Sequence, residues 1–365
     1  MRKPILLCVI DSLGRGGAET LLIGILPDLS ISYEIILVTL TDLCDFKEEE
    51  IISSKRYSLN VTNKFSLFFS IIKLKKIIRL HKPDLIHAHL VNSSIVARMA
   101  NSTGIPIAIS LHSILSKNVY NNSFIYRTIE KKIFSKKHFA IAVSNDVLED
   151  YESSIGLPEK SFLLTNYVDD AFINNASVKA KKIAKFPLKI VSVGNIKRVK
   201  NYELLIDCFM LLKDYDISLD IFGAGESSYL KELQRIIDVN KLAVKFVGSS
   251  DNISTQLKKY DLFVMSSHYE GFGMAVVEAM AIGLPLLLSD LKVLRTVTHQ
   301  NAVFFDQNDP RSLANILVNI YDGNIKLIEY SETGIELAKK HYTKSLYLKK
   351  INEIYFYILN LTNKS

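Results

Sequence analysis

Two glutamates, Glu270 and Glu278, stand with seven residues between them in SSHYEGFGMAVVEAMAIGLPLLLSD, residues 266–290. Glu270 precedes a turn made by Gly271 and Gly273, and Glu278 falls about a turn and a half into the helix that the pattern starts there. Glycines let a backbone approach a ligand closely. A helix start aims free N–H groups and a positive dipole end at whatever lies there, which favours an anion such as a phosphate. One carboxylate at the mouth of such a site and a second just inside it suit a ligand with a charged middle and hydroxyls at both ends. A nucleotide sugar has that shape.

Other residues could complete such chemistry. GNIKRVKN (194–201) offers Lys197, Arg198 and Lys200 between a strand and a helix, as phosphate-binding cations or as exposed loop residues. DSLGRGGAET (11–20) follows an apolar run with Gly14, Gly16 and Gly17; Glu19 stands where a dinucleotide fingerprint needs glycine or alanine, which weakens that reading. FGAGE (222–226) is a second short glycine turn, at Gly223. His89 and His112 end apolar runs, where histidines are more often structural than functional, and no metal spacing joins them. Asp214-Tyr-Asp216 is an Asp-x-Asp motif of the kind that can hold a metal, and it sits where polar turn residues are expected between a helix and a strand.

These residues need strands that end at them. Apolar runs at 5–10, 34–40, 84–89, 105–110 and 139–144 alternate with helical patterns at 17–26, 65–81, 92–102, 123–136 and 145–154. The rhythm breaks in NASVKAKKIAKFP (175–187) and restarts with runs at 188–194, 217–223, 243–248, 261–267 and 284–290. Alternation of this kind predicts parallel sheets with helices on both faces. The expected organisation is α/β, two Rossmann-like domains facing across a cleft: 1–178, then 188–342, then a helix within 343–365. Ligands of such sheets bind beyond the carboxyl ends of the strands, and every motif named above except Asp214-Tyr-Asp216 lies at such an end.

Composition agrees with a two-domain globular protein of 365 residues with 48% apolar content. Cys8, Cys44 and Cys208 make neither a disulfide framework nor a metal spacing, which points to a reducing cytoplasm. No apolar run reaches the roughly 18 residues of a membrane span, and MRKPILLCVI reads as a buried strand, not a signal peptide. The net charge of +7 is unevenly spread: residues 52–140 hold fifteen Lys and Arg against Asp84 and Glu130 alone. Such asymmetry predicts a face that meets a polyanion or an anionic membrane. KFSLFFSIIKLKKIIRLHK (64–82) and RTIEKKIFSKKH (127–138) supply its two basic segments, and the absence of a recognition motif argues against nucleic acid.

The 266–290 stretch resembles the Glu-x7-Glu signature of retaining GT-B glycosyltransferases, family 4 in particular, and the match continues through Ala279, Gly283 and Pro285. The resemblance implies that Glu270 contacts donor-sugar hydroxyls, Glu278 holds the ribose, and Gly271, Phe272, Gly273 and Met274 line the donor site. Lys200 and Asn201 match the family's diphosphate-binding segment, but Asn195 stands at its arginine position, leaving Arg198 or Lys197 as the substitute cation. Gly16 and Gly17 match the glycine loop toward the donor phosphates, Gly223 the loop near the nucleotide, and His112 the histidine beside the transferred sugar. Tyr167 replaces a usual glycine in TNYVDDAFI. With Glu270, Lys200 and His112 as catalytic residues, the implied activity is transfer of a hexosyl or N-acetylhexosaminyl group from a nucleotide sugar, expected to be UDP-linked, to a lipid-linked or glycan acceptor. The product would be a bacterial capsule, O-antigen or other lipopolysaccharide glycan, made with no metal and no further cofactor at the inner face of the cytoplasmic membrane. A UDP-sugar 2-epimerase of GT-B type and an inactive sugar-nucleotide-binding subunit are the alternatives.

Overall fold

The computed structural model describes residues 2–178, 187–225 and 227–362. The centre of the 175–187 break and Glu226 of FGAGE therefore lie outside the described residues. The chain forms two compact units, Met1–Tyr167 with Lys344–Ser365, and Val168–Thr343.

The first unit runs β1 (Ile5–Ile10), α1 (Gly17–Ser32), β2 (Glu34–Thr39), β3 (Lys55–Ser58), α2 (Lys64–His81), β4 (Leu85–His89), α3 (Val91–Ala100), β5 (Ile107–Leu111), α4 (Val119–Asn122), α5 (Phe124–Ile133), β6 (Phe139–Ala142), α6 (Asn145–Ser154) and β7 (Lys160–Leu163). The second runs α7 (Asp170–Asn174), β8 (Leu188–Val193), α8 (Tyr202–Leu211), β9 (Ile217–Phe222), α9 (Ser227–Asn240), β10 (Val244–Gly248), α10 (Ile253–Leu257), β11 (Leu262–Met265), α11 (Met274–Ile282), β12 (Leu286–Ser289), α12 (Lys292–Val297), β13 (Val303–Phe305), α13 (Pro310–Tyr321) and α14 (Ile328–His341). The last helix, α15 (Lys344–Thr362), belongs to the first unit.

Every strand pairing among the described residues is parallel. The first sheet has the order β3-β2-β1-β4-β5-β6-β7 and the second β10-β9-β8-β11-β12-β13. Strand β1 shows why its sequence is an unbroken apolar run: helices cover both faces, and all six residues of ILLCVI are buried. Strands β3, β7 and β13 are absent from the sequence reading. Each lies at a sheet edge, where one flank needs no apolar neighbour, so KRYS, KSFL and VFF carry no long apolar signal.

Residues 168–178, read from the sequence as the end of the first domain, group with the second unit, because α7 packs on α11 and α14. Helix α15 closes the first unit: the Tyr355 hydroxyl pairs with His87 Nδ1 at 2.6 Å, its ring meets Tyr33 edge-on, and Lys344 Nζ lies 2.7 Å from Asp28. Tyr167, the departure from the glycine of the motif, is buried and donates from its hydroxyl to the Leu21 carbonyl of α1 at 3.1 Å. The turn thus accepts a tyrosine because α1 makes room for it at Gly24, where a Cβ would run into the Tyr167 hydroxyl. Gly24→Ala should therefore overpack this contact and cost about 1–3 kcal/mol; a urea midpoint equal to that of the unaltered protein would show that the contact gives way freely.

Candidate functional site

In both sheets the strand order reverses at one point, between β1 and β4 in the first and between β8 and β11 in the second. Loops leaving the carboxyl ends of those strands diverge and open a crevice, the usual ligand position in open parallel sheets. In the second unit the two loops at that point are 194–201 and 266–273, two of the motifs singled out from the sequence.

Those loops are knitted together. The Ser266 hydroxyl donates to the carbonyls of Lys200 and Asn201, each at 2.9 Å, and the His268 N–H donates to the Val199 carbonyl at 2.9 Å. Asn201 takes the left-handed conformation, φ 52°, which ends the 3-10 turn at Arg198–Lys200 and starts α8. Its buried side chain donates to the Gln307 carbonyl at 2.9 Å. Lys200 Nζ consequently lies 2.6 Å from Glu270 Oε1, with the two side chains only 21% and 12% exposed. The same Oε1 accepts from the buried Ser267 hydroxyl at 2.6 Å. Ser267 was not singled out from the sequence, since a serine at a strand end carries no distinguishing pattern.

Beyond Glu270 the chain turns at Gly273, φ 92°, into α11. The backbone N–H groups of Phe272, Gly273, Met274 and Ala275 have no acceptor among the described residues. The site therefore joins an ammonium, a carboxylate and a row of open N–H donors at a helix start, a combination suited to a phosphate-bearing ligand. The side chain of Glu278, on the first turns of α11, has no hydrogen-bonding partner among the described residues. Burial, with the negative charge of Asp169 second, pushes its pKa up to about 7. A partner that donates hydroxyls to this carboxylate would return it to the ionised form.

Three further expectations take a different geometry. Arg198 is turned toward α9: its guanidinium lies 3.4 Å from Glu203 and 3.1 Å from Glu232 and stacks 4.8 Å above the Tyr229 ring. It is therefore occupied away from the Lys200–Glu270 pair, while the Lys197 side chain is exposed. Asn195 is exposed, with no side-chain hydrogen bond among the described residues. Gly223, φ 149°, packs backbone to backbone, and a Cβ on it would collide with the Gly194 carbonyl. Its neighbour Gly225 presses against Ile196 in the same way, and the Ile196 N–H donates to the Ala224 carbonyl at 2.8 Å. The glycine turn at 222–225 is thus a backstop that sets the height of the lysine loop. Asp214 and Asp216 flank the turn before β9, and among the described residues no group of three or more His, Cys, Asp or Glu could hold a metal.

In the first unit, Gly16 caps α1 and Gly17 begins it. The Glu19 carboxyl folds back over Gly16, where a Cβ would meet it, and burial pushes its pKa up, with Asp11 adding to the effect. Asp11, at the end of β1, accepts from the Ser93 N–H at 2.8 Å, the Ser93 hydroxyl and the Asn92 amide at 2.9 Å, and so caps α3 across the crevice. Leu90, between β4 and α3, holds φ 70°, a strained position for a branched residue. His87, His89 and His112 form a stack of rings with centroids 4.0 and 5.9 Å apart. His87 is pinned by Tyr355 on one nitrogen and by the Ser110 hydroxyl, at 2.7 Å, on the other. Burial lowers all three pKa values, to about 3 for His87 and about 4 for His112, so the rings are neutral at physiological pH.

Two family models match this chain: Glycosyltransferase Family 4 over residues 15–172, and Glycosyl transferases group 1 over residues 174–337. The chain belongs to the family 4, group 1 glycosyltransferases. A Campylobacter jejuni protein named N-acetylgalactosamine-N,N'-diacetylbacillosaminyl-diphospho-undecaprenol 4-alpha-N-acetylgalactosaminyltransferase is 28% identical over 78% of this chain and 80% of its own length. An Escherichia coli UDP-Gal:alpha-D-GlcNAc-diphosphoundecaprenol alpha-1,3-galactosyltransferase is 25% identical over 70% of this chain and 71% of its own length. HepE of Anabaena, solved in complex with UDP, superposes with a TM-score of 0.79 at 20% identity, over 96% of this chain and 99% of that one. The fold of this glycosyltransferase is GT-B.

Gly223→Ala should displace the 194–201 loop and abolish binding of a nucleoside diphosphate measured by calorimetry, while Gly248→Ala, where a Cβ meets open space, should weaken the fold modestly through its backbone alone. Glu278→Gln should also alter the pH dependence of stability. A raised carboxyl pKa means that the folded state binds more protons than the unfolded state between about pH 4.5 and 7. Stability of the unaltered protein should thus fall as pH rises through that window, and the Tm advantage of Glu278→Gln should grow across it and level off above pH 7.

Proposed function

We propose that this glycosyltransferase acts with retention and without a metal, moving a hexosyl or N-acetylhexosaminyl group from a UDP-sugar to a lipid-linked glycan in bacterial surface polysaccharide biosynthesis. The observation that carries the reading is the Lys200–Glu270 pair set against the open N–H row at the start of α11. The activities for which the Campylobacter and Escherichia relatives are named, both on undecaprenyl diphosphate-linked acceptors, support the acceptor class. The UDP donor rests on the name of the second relative and on the nucleotide held by HepE.

In this reading Lys200 and the N–H groups of residues 272–275 receive the diphosphate, Glu270 accepts from hydroxyls of the sugar, and Glu278 accepts from the ribose. The bond between the anomeric carbon and the diphosphate oxygen breaks as the acceptor oxygen approaches from the same face. Negative charge grows on the departing diphosphate, which takes up the acceptor's proton. Preorganised donors around that charge are worth more in the transition state than in the ground state, because they need no reorientation. Asn195 leaves this chain one cation short of the family pattern, so Lys200 carries a larger share of the stabilisation. His112, neutral by burial, is proposed to act only as a hydrogen-bonding group.

The direct test is nucleotide release from a panel of sugar nucleotides with and without a lipid-diphosphate glycan. Acceptor-dependent release from one UDP-sugar is the expected result; interconversion of a UDP-sugar with no release would replace the reading with an epimerase. Within the reading, Lys200→Ala should lower kcat by about 10²–10³. Glu278→Gln should instead raise the donor KM by about ten- to a hundredfold, as expected for lost hydrogen bonds to a charged acceptor. Equal losses in kcat and KM for both variants would show that the two residues do not have separate roles.

A further inference from the structure

Helix α2 carries a face that the transferase chemistry does not use. The Asn63 side chain caps it by accepting from the N–H groups of Phe65 and Ser66, each at 3.0 Å. Its inner stripe, Leu74, Ile77 and Ile78, is buried in the first-unit core. The opposite stripe recurs at helical spacing: Phe65, Phe68, Phe69, Ile72, Lys76, Arg79 and Leu80 are all exposed. Phe65, Phe68 and Phe69 are 83%, 63% and 58% exposed. Three solvent-facing phenylalanines on two adjoining turns are not needed for folding, and an apolar patch of this kind marks an interaction surface.

Topology fixes where that patch lies. A helix joining two parallel strands runs against them, so the N-terminal half of α2, with the phenylalanines, sits at the carboxyl end of the first sheet. Helix α5 also begins at that end and exposes Phe124 and Ile125, followed by Arg127, Lys131 and Lys132. Helix α3 packs against both. Aromatic tips therefore cluster at the ligand end of the sheet, with cations further along the same two helices.

We infer that this surface docks on an anionic phospholipid bilayer, with Phe65, Phe68, Phe69 and Phe124 entering the boundary between headgroups and acyl chains. Lys76, Arg79, Lys131 and Lys132 face the lipid phosphates. Charge decides for lipid over a protein partner: residues 52–140 carry fifteen basic residues against two acidic ones, an excess that matches a continuous anionic surface. Amphipathic helices with aromatics on one side and Lys or Arg around them lie in the membrane interface, and no helix among the described residues is long and apolar enough to cross a membrane. The inference deepens the lipid-linked acceptor reading, since it brings the ligand end of the first sheet to the surface in which such an acceptor is anchored.

The chain contains no tryptophan, so Phe68→Trp supplies a single emitter within the docking face. Vesicles of phosphatidylglycerol and of phosphatidylcholine, both free of any glycan, separate this test from the transferase reading. The expected result is a blue shift of the Phe68→Trp emission and co-sedimentation with phosphatidylglycerol only, weakening as salt rises. Phe65→Ser/Phe68→Ser/Phe69→Ser should lower vesicle affinity at least about tenfold, and Lys76→Glu/Arg79→Glu should do likewise, with melting temperature and UDP binding unchanged in both. Lack of binding by the unaltered chain, an unshifted emission, or equal binding by the triple variant would overturn the proposal. Self-association that the triple variant abolishes, without lipid binding, would make this face a contact between copies and would overturn it equally.

Discussion

The second unit is organised around one constraint: a lysine and a glutamate from distant parts of the sequence must meet in a partly dry crevice. Lys200 and Glu270 reach each other because β8 and β11 are hydrogen-bonded neighbours at the point where strand order reverses. Removing two charges from water is costly, and only close geometry with further hydrogen bonds offsets it. The Ser267 hydroxyl supplies such a bond to Glu270, while Ser266 and His268 hold the two loops together through the backbone. Without these ties Lys200 would be an ordinary solvated loop residue.

The glycines around the site fall into two kinds. Gly273 turns the chain through a left-handed position at the start of α11, leaving a row of N–H groups open. Gly223 and Gly225 instead permit contact between two backbones, which places the lysine loop. A glycine turn can thus shape a neighbouring loop through backbone contact alone. The first unit uses carboxylates for comparable purposes: Asp11 caps α3, and Glu19 folds over the start of α1.

Much of this was legible in the sequence because it depends on local pattern. Apolar runs marked the buried strands, and EGFG followed by EAMAIGLP marked the turn and helix start beside which Lys200 and Glu270 pair. Edge strands such as KRYS were illegible, since exposure removes the apolar signal. Ser267 was hidden because its role depends on a side-chain contact three residues along a turn, and Asp169 because its effect on Glu278 depends on how α7 packs. The direction of Arg198 was equally beyond reach: Glu203 and Glu232, which draw it aside, lie on two different helices. Charge asymmetry was visible as a count, but the outward stripe of phenylalanines on α2 needed the helix's buried face to be known.

The last helix has a consequence for the order in which the molecule can be made. Helix α15 completes the unit that β1 begins. Tyr355 supplies the hydroxyl that pins His87 and the edge that packs on Tyr33. On the ribosome, the amino-terminal half therefore emerges with part of its interior uncovered, and must wait for the whole intervening unit to be synthesised before it can close. The middle of the chain, contiguous in sequence, has no such wait. Completion of the first unit is in this way deferred until α15 has been made, and a chain interrupted before α15 would leave its histidine stack without its tyrosine anchor.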